Sequence, residues 1–381
     1  MSAIHASTQR PSGVRSQPAA TPPAWLAAGA TTASELVQAF GRRLVPAPAA
    51  LMGMTVGYQL TSRAITSAAE LGLADLLAVG PLTPGQLARR AEADEQALSR
   101  LLRLLEAAGL IHTAKDGRVS LTRLGAPLRA DHPQSVRDWC RYLGADWHWE
   151  LWSELDDSVR DGRTAYERRF GCDFFSWFAE RPAEAQTFDD AMTSFSALVD
   201  QPLAAACDLR GVRSLVDVGG GSGALLAAVM QKNDRLHGTL FDQSHVLERA
   251  RRPESPLMAD GLAERASFVS GDIFTSASTG HDAYMLKWIL HDWSDEQAGM
   301  ILRRIADAAR PGSRLFVIEM LIEPGRRANP ARQMDLAMLT LTGGRERTRD
   351  ELHALLRNAG FQPGRVVRTA SPMQILEALR T

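Results

Sequence analysis

The spacing of apolar positions changes along the chain, and the changes divide it. Residues 1–33 have no period at all: Pro11, Pro18, Pro22 and Pro23 stand among Ser, Thr, Ala and Gln. No continuous apolar run follows Arg10 or Arg15, so a disordered tail is predicted there and a secretory signal is not. From Gly53 to about Arg129 the text is helical and then briefly β. Thr83-Pro84-Gly85-Gln86 reads as a helix start, with Thr83 as N-cap, Pro84 at the first helical position and Gln86 closing a capping box. Asp94 opens a second helix in which Leu98, Leu101, Leu102 and Leu105 fall on one face, and Gly109 ends it. Ile111-His112-Thr113 and Val119-Ser120-Leu121 flank a Lys115-Asp116-Gly117 turn, which predicts a short hairpin. Helices followed by a hairpin make a winged helix, assigned to residues 34–130.

Residues 131–205 read as helices rich in aromatic side chains, with Trp139, Trp147, Trp149 and Trp152 close together and Phe170, Phe174, Phe175, Trp177, Phe178, Phe188 and Phe195 after them. A stripe of this kind is usually core, although a flat apolar ligand would want such walls. After residue 206 β-rich runs alternate with helical ones: Ser214–Val218, His237–Phe241, Ala266–Val269, Asp282–Leu286 and Arg314–Ile318. That alternation predicts an α/β domain with a doubly wound, mostly parallel sheet. Gly364–Thr369 and Met373–Ala378 lack a helix between them, so an antiparallel hairpin should close the sheet.

Composition narrows the function classes. The 381 residues are 45% hydrophobic and 23% charged, with 43 Lys+Arg against 44 Asp+Glu. A net charge of -1 argues against a protein that works on nucleic acid or a membrane surface through its overall field. Arg100 and Arg103 on the second helix of the wing domain are offset by Asp94, Glu95 and Glu106, which argues against DNA as a partner. The longest apolar run, Ala224 to Met230, is far below the ~18 residues of a membrane span. Three cysteines, Cys140, Cys172 and Cys207, form no CxxC, and an odd number fits a reducing cytoplasm. The 40 Arg against 3 Lys reflect a GC-rich coding bias and carry no mechanism.

The candidate chemistry lies at strand ends. Leu215-Val216-Asp217-Val218-Gly219-Gly220-Gly221-Ser222-Gly223 is a hydrophobic strand running into a glycine turn and then a helix. Such a turn brings backbone N–H groups to a ligand, but it also satisfies a loose dinucleotide pattern. Asp242, at the end of the next strand, suits an adenosine ribose and fits NAD equally well. Asp272, Ile273 and Phe274 offer an acid and apolar faces for adenine. Leu286-Lys287-Trp288-Ile289-Leu290-His291-Asp292-Trp293 then places His291 between a strand end and a helix capped by Ser294 and Gln297. For His281, His245, His148 and His112 no partner spacing suggests a metal.

These segments, with Val317-Ile318-Glu319 and Gly343-Gly344-Arg345-Glu346-Arg347-Thr348 in the same order, resemble the class I S-adenosylmethionine-dependent small-molecule O-methyltransferases. The resemblance is to the caffeate and flavonoid type and its bacterial natural-product relatives, and it covers roughly residues 50–380. It implies a Rossmann-like catalytic domain (206–381) and a winged-helix homodimerisation domain. Asp217, Gly219, Gly220 and Gly221 would cradle the cofactor's methionine part and Asp242 its ribose. Asp272, Ile273 and Phe274 would frame adenine, and Lys287 would flank the nucleoside. His291 would be the general base, with Glu319 and Glu346 as orienting carboxylates. The acceptor, a hydroxylated aromatic secondary metabolite, would meet Trp147, Trp152, Phe188, Met192, Trp288, Asp292 and Met338. No metal is implied.

Physical chemistry agrees with the implied roles. A phenol of pKa ~10 is mostly protonated at neutral pH, and histidine is the side chain best matched to taking its proton. Glu319 at the end of a buried strand is costly without a partner. Glu346 could instead pair with Arg345 or Arg347 on the surface. Three other readings stay open: drifted chemistry on the same fold (hydroxylation or decarboxylation), a winged-helix regulator that senses a ligand, and an NAD-dependent oxidoreductase.

Overall fold

A computed structural model describes residues 40–41, 44–259, 261–325 and 329–381. The tail expected at 1–33 lies outside the described residues.

In the N-terminal region both helix starts form as the sequence dictates. Thr83 and Gln86 exchange side-chain and backbone hydrogen bonds, and Asp94 accepts from the Ala97 N–H. Leu98, Leu102 and Leu105 bury their shared face against Leu87, Leu110 and Val119. Strands β1 (Ile111–Thr113) and β2 (Val119–Leu121) pair antiparallel as the wing. A short helix, Leu73–Ala78, follows the helix Ala47–Glu70 and packs in the same core. That preceding helix, Ala47–Glu70, leaves Met52, Val56 and Leu60 exposed at four-residue spacing, on one side of the helix.

The C-terminal domain holds seven strands: β3 (Ser214–Val218), β4 (His237–Asp242), β5 (Ala266–Ser270), β6 (Ala283–Lys287), β7 (Arg314–Glu319), β8 (Phe361–Arg368) and β9 (Gln374–Arg380). Their order is β5-β4-β3-β6-β7-β9-β8, with β3 to β7 parallel and β8 and β9 antiparallel. The chain leaves β3 toward β4 on one side and later returns to β6 on the other. That makes the carboxyl end of β3 a topological switch point, where a ligand crevice opens. Leu225, Leu226, Val229 and Met230 cover one face of the sheet. Ile301, Leu302, Ile305, Leu352 and Leu356 cover the other. Strand β8 begins three residues before the expected Gly364 and runs through Pro363, with an irregular register between Pro363 and Val366. As the outer strand of the sheet, β8 can tolerate a residue without an N–H.

The aromatic segment between the two regions has its own core. Tyr166, Phe174, Trp177 and Phe178 are buried, with Trp147, Phe170 and Phe188 packed on them. A 25-residue helix, Pro182–Ala206, leads from this cluster to β3.

Candidate active site

The glycine turn after β3 is shaped by three left-handed residues, Gly219, Gly221 and Gly223, with φ of 69°, 59° and 73°. A Cβ at Gly219 would lie 2.6 Å from Ile289, and one at Gly220 2.6 Å from Leu240. A Cβ at Gly223 would run into Leu257. At Gly221 an added Cβ would meet nothing within 4 Å. Packing therefore excludes a side chain at Gly219, Gly220 and Gly223, whereas Gly221 faces open space with its N–H bonded to Asp242 Oδ2 at 2.9 Å. Asp242 also accepts from the Gln243 N–H, and burial nonetheless pushes its carboxyl up. Asp217 is buried beneath the loop, where burial and the neighbouring Asp200 and Asp242 raise it to about 7 despite Lys287. Its carboxylate lies against Gly220, where it leaves no room for a side chain.

At the end of β5, Asp272 is exposed and accepts from the Phe274 N–H at 2.9 Å. Ile273 and Phe274 pack partly into the core, Phe274 edge-on to Trp293 with ring centres 4.7 Å apart. Lys287, expected beside the nucleoside, has partners the sequence did not announce. Its amine donates to Asp200 at 2.7 Å and Ser196 at 2.9 Å, both on the long helix. No spacing pattern could have joined residues 87 positions apart.

Next to this crevice His291 lies in a 3₁₀ turn, Leu290–Asp292, after β6. Its Nδ1 is 2.8 Å from Glu346 Oε1, while Nε2 has Asp292 Oδ1 at 3.7 Å. Both partners are buried, His291 6% and Glu346 2% exposed. The Nδ1 hydrogen bond fixes the ring orientation and makes Nε2 the nitrogen that exchanges a proton. Glu319, at the end of β7, accepts from the Leu290 N–H at 2.9 Å, so it holds the turn and not the ring. Donor atoms of His291, Glu319 and Glu346 lie within 4.8 Å of one another. Burial works against a charged imidazole here, but Asp292, Glu319 and Glu346 overcome it and raise His291 to about 10. Burial likewise raises Glu319 to about 7 and Asp292 to about 6, with His291 pulling both down.

Glu346 does not pair with either neighbouring arginine. Arg345 binds Glu351, and Arg347 turns inward. The buried Arg347 donates to Asp295 Oδ1 at 2.8 Å and to the carbonyls of Leu290 and Trp293 at 2.7 Å each. It clamps the turn that carries His291. Asp335 accepts from the Glu346 N–H at 3.0 Å and holds the backbone of that segment. Neither residue was foreseen from the sequence.

Of the expected acceptor residues, Trp288 stacks on His291 (5.4 Å, 16°) and on Phe195 (4.2 Å, 14°). Its φ of 54° is unusual for a bulky residue and marks local strain at the strand end. Asp292 joins it beside the base. Trp147 and Phe188 belong to the aromatic core, and Met338 is buried. Trp152 and Met192 are half-buried.

Comparison with known proteins decides the family. Residues 152–362 match the O-methyltransferase domain and residues 54–130 the O-methyltransferase dimerisation domain. The chain belongs to the O-methyltransferase family. It is 40% identical to a mitomycin biosynthesis 6-O-methyltransferase of Streptomyces lavendulae, over 84% of this chain and 91% of that one. It is also 40% identical to an aclacinomycin 10-hydroxylase of Streptomyces purpurascens, over 80% and 82% of the two chains. The solved human N-acetylserotonin methyltransferase in complex with S-adenosylmethionine superposes with a TM-score of 0.81 at 29% identity, covering 88% of this chain and 98% of that one. As an O-methyltransferase of this family, the protein takes its methyl group from S-adenosylmethionine. The free approach at Gly221 and the carboxylates of Asp242, at the end of β4, and Asp272, just after β5, fit that cofactor. Among the described residues no helix is long and apolar enough to cross a membrane.

Proposed function

We propose that the protein methylates a hydroxyl of an aromatic secondary metabolite, with His291 as the base that removes the hydroxyl proton. The observation that carries this reading is the buried 2.8 Å contact between His291 Nδ1 and Glu346, which leaves Nε2 to receive a proton. The cofactor supplies a methyl group already activated on a sulfonium, so the protein's tasks are alignment and deprotonation. Asp292, Glu319 and Glu346 raise the basicity of the ring above that of a free imidazole, which narrows the gap to a phenol of pKa ~10. Glu346 stabilises the imidazolium once it forms, much as a buried aspartate does in hydrolase triads. Glu319 and Arg347 keep the turn in place.

In the same reading Gly219, Gly220 and Gly221 receive the methionine part, Asp242 the ribose, and Asp272 with Ile273 and Phe274 the adenine. Lys287 acts through Asp200, and Trp288, Trp152, Met192 and Asp292 face the acceptor. The exposed stripe of Met52, Val56 and Leu60 in the dimerisation region supports a homodimer, since an apolar face left uncovered usually finds a partner.

A hydroxylase is the second reading, favoured by the 40% identity to the aclacinomycin enzyme. Incubation with methyl-labelled S-adenosylmethionine and a panel of phenols, hydroxyphenazines and hydroxyquinones separates the two. Label in an aryl methyl ether supports methyl transfer. An oxidised product without label would overturn it.

A further inference from the structure

We infer that His148, with Tyr142 beside it, is a second recognition point for the acceptor and binds an uncharged oxygen substituent remote from the hydroxyl that is methylated. The inference rests on the reading of the acceptor as an aromatic hydroxy compound.

His148 lies on the helix Asp146–Leu151 and is 1% exposed. Among the described residues neither of its ring nitrogens has a hydrogen-bond partner, and it is the one side chain there with two such buried atoms. Burial pushes its pKa down to about 4, so at neutral pH it is uncharged and carries one donor and one acceptor. Buried polar groups are costly to leave unpaired, and a site in that condition is completed by what binds there. The surroundings are aromatic: Tyr142 has its ring centre 4.3 Å away and Trp152 6.3 Å away.

Two observations connect this imidazole to the catalytic one. Rings run without a break from Tyr142 through Trp139 (6.0 Å), Phe195 (5.5 Å) and Trp288 (4.2 Å) to His291 (5.4 Å). Burial raises the Tyr142 phenol, and the Asp292 carboxylate, itself beside His291 Nε2, raises it further. His148, through Tyr142, and His291 thus belong to one connected run of aromatic rings. An aromatic acceptor packed along that run would present the reacting hydroxyl to His291 and a distal oxygen to His148. An anionic substituent is excluded on charge grounds, because the ring is neutral and Asp292 is near its Tyr142 neighbour. The class that fits is a fused-ring phenol with a hydroxyl or carbonyl on the far ring.

The test is equilibrium binding to the protein loaded with S-adenosylhomocysteine. The ligands are a naphthol and the naphthalenediols that carry one hydroxyl on each ring. The wild type should bind the best diol at least ~10-fold more tightly than the naphthol, the size of one hydrogen bond in a dry site. His148→Leu should bring the two within about twofold, raising KM for the diol more than it changes kcat, and His148→Gln should restore part of the preference. A wild type that binds both equally, or a His148→Leu variant that keeps the preference, would overturn the assignment. So would a His148→Leu variant that loses S-adenosylhomocysteine affinity as well, because the residue would then be core packing. Failure to methylate any aromatic hydroxyl would instead overturn the functional reading beneath it.

Discussion

The α-carbon of Gly344 lies against the main-chain carbonyl of His291 so closely that an added Cβ would collide with that oxygen. The next residue, Arg345, donates its N–H to the same carbonyl at 2.8 Å. The segment that supplies Glu346 is therefore docked on the backbone of the residue it orients. Gly344→Ala must push the two apart. A displacement of about 1 Å in a positioned catalytic group costs ~10²-fold in rate, so kcat should fall by about that factor. Binding of S-adenosylhomocysteine, measured by calorimetry, should stay within about twofold. A kcat within threefold of wild type would show that the docking does not set the geometry of the base.

Arg347 holds the same turn from the other side through two main-chain carbonyls and Asp295. Arg347→Lys keeps the charge but loses the planar fork that reaches three acceptors at once. The buried carbonyls left unpaired would each cost ~1–3 kcal/mol, which should lower the Tm by several degrees along with kcat. Thermal unfolding and turnover measured together check this. An unchanged Tm would contradict the clamp.

The four glycines of the turn separate packing from binding. Gly223→Ala drives a methyl group into Leu257 and should destabilise the fold, whereas Gly221→Ala meets open space and strains only a left-handed backbone. That strain is worth ~1–2 kcal/mol. Gly221→Ala should therefore lose cofactor affinity well beyond its loss of stability, and Gly223→Ala the reverse. Calorimetry with S-adenosylhomocysteine beside chemical unfolding distinguishes them, and equal behaviour of the two variants would refute the division.

The sheet and the segments that carry the candidate site are readable from the sequence because both rest on local patterns. Strand periods, the caps at Thr83, Asp94 and Ser294, and the segment around His291 are contiguous text, and each forms where it was expected. What escaped depends on contacts between distant positions. Asp200 under Lys287, Arg347 under Leu290 and Asp335 behind Glu346 look like ordinary helix or loop charges until the chain folds. Trp147 and Phe188, expected at the acceptor, pack on the aromatic core, and an aromatic stripe has the same spelling in either role. His148 was passed over for the same reason, since a single histidine among tryptophans has no spacing to read.

The exposed stripe on the helix Ala47–Glu70 gives a test of assembly. Light scattering at micromolar protein should return twice the 41.5 kDa chain mass. Val56→Glu, at the middle of the stripe, should shift it toward the monomer, since a charge in the centre of an apolar interface is costly to desolvate. A wild-type monomer would remove the basis for this part of the account.

The raised basicity of His291 has a signed consequence. Below its pKa the ring is protonated and cannot accept a proton, so kcat/KM on an ordinary phenol should climb from pH 7 toward pH 10. Glu346→Gln removes one of the charges that raise it, so the rising limb should move to lower pH while the maximal rate falls. A profile unmoved by Glu346→Gln would mean that the carboxylate does not act on the ring.

The most direct measurement compares His291→Ala with the wild type in transfer of a labelled methyl group at pH 9. Two acceptors are needed, an ordinary phenol of pKa ~10 and an electron-poor phenol already ionised at that pH. Positioned proton transfer is worth ~10²–10⁴-fold, so the variant should lose that much on the ordinary phenol and far less on the ionised one, with S-adenosylhomocysteine affinity nearly unchanged. Full activity of His291→Ala on the ordinary phenol, or an equal loss on both acceptors, would contradict the assignment of His291 as the base.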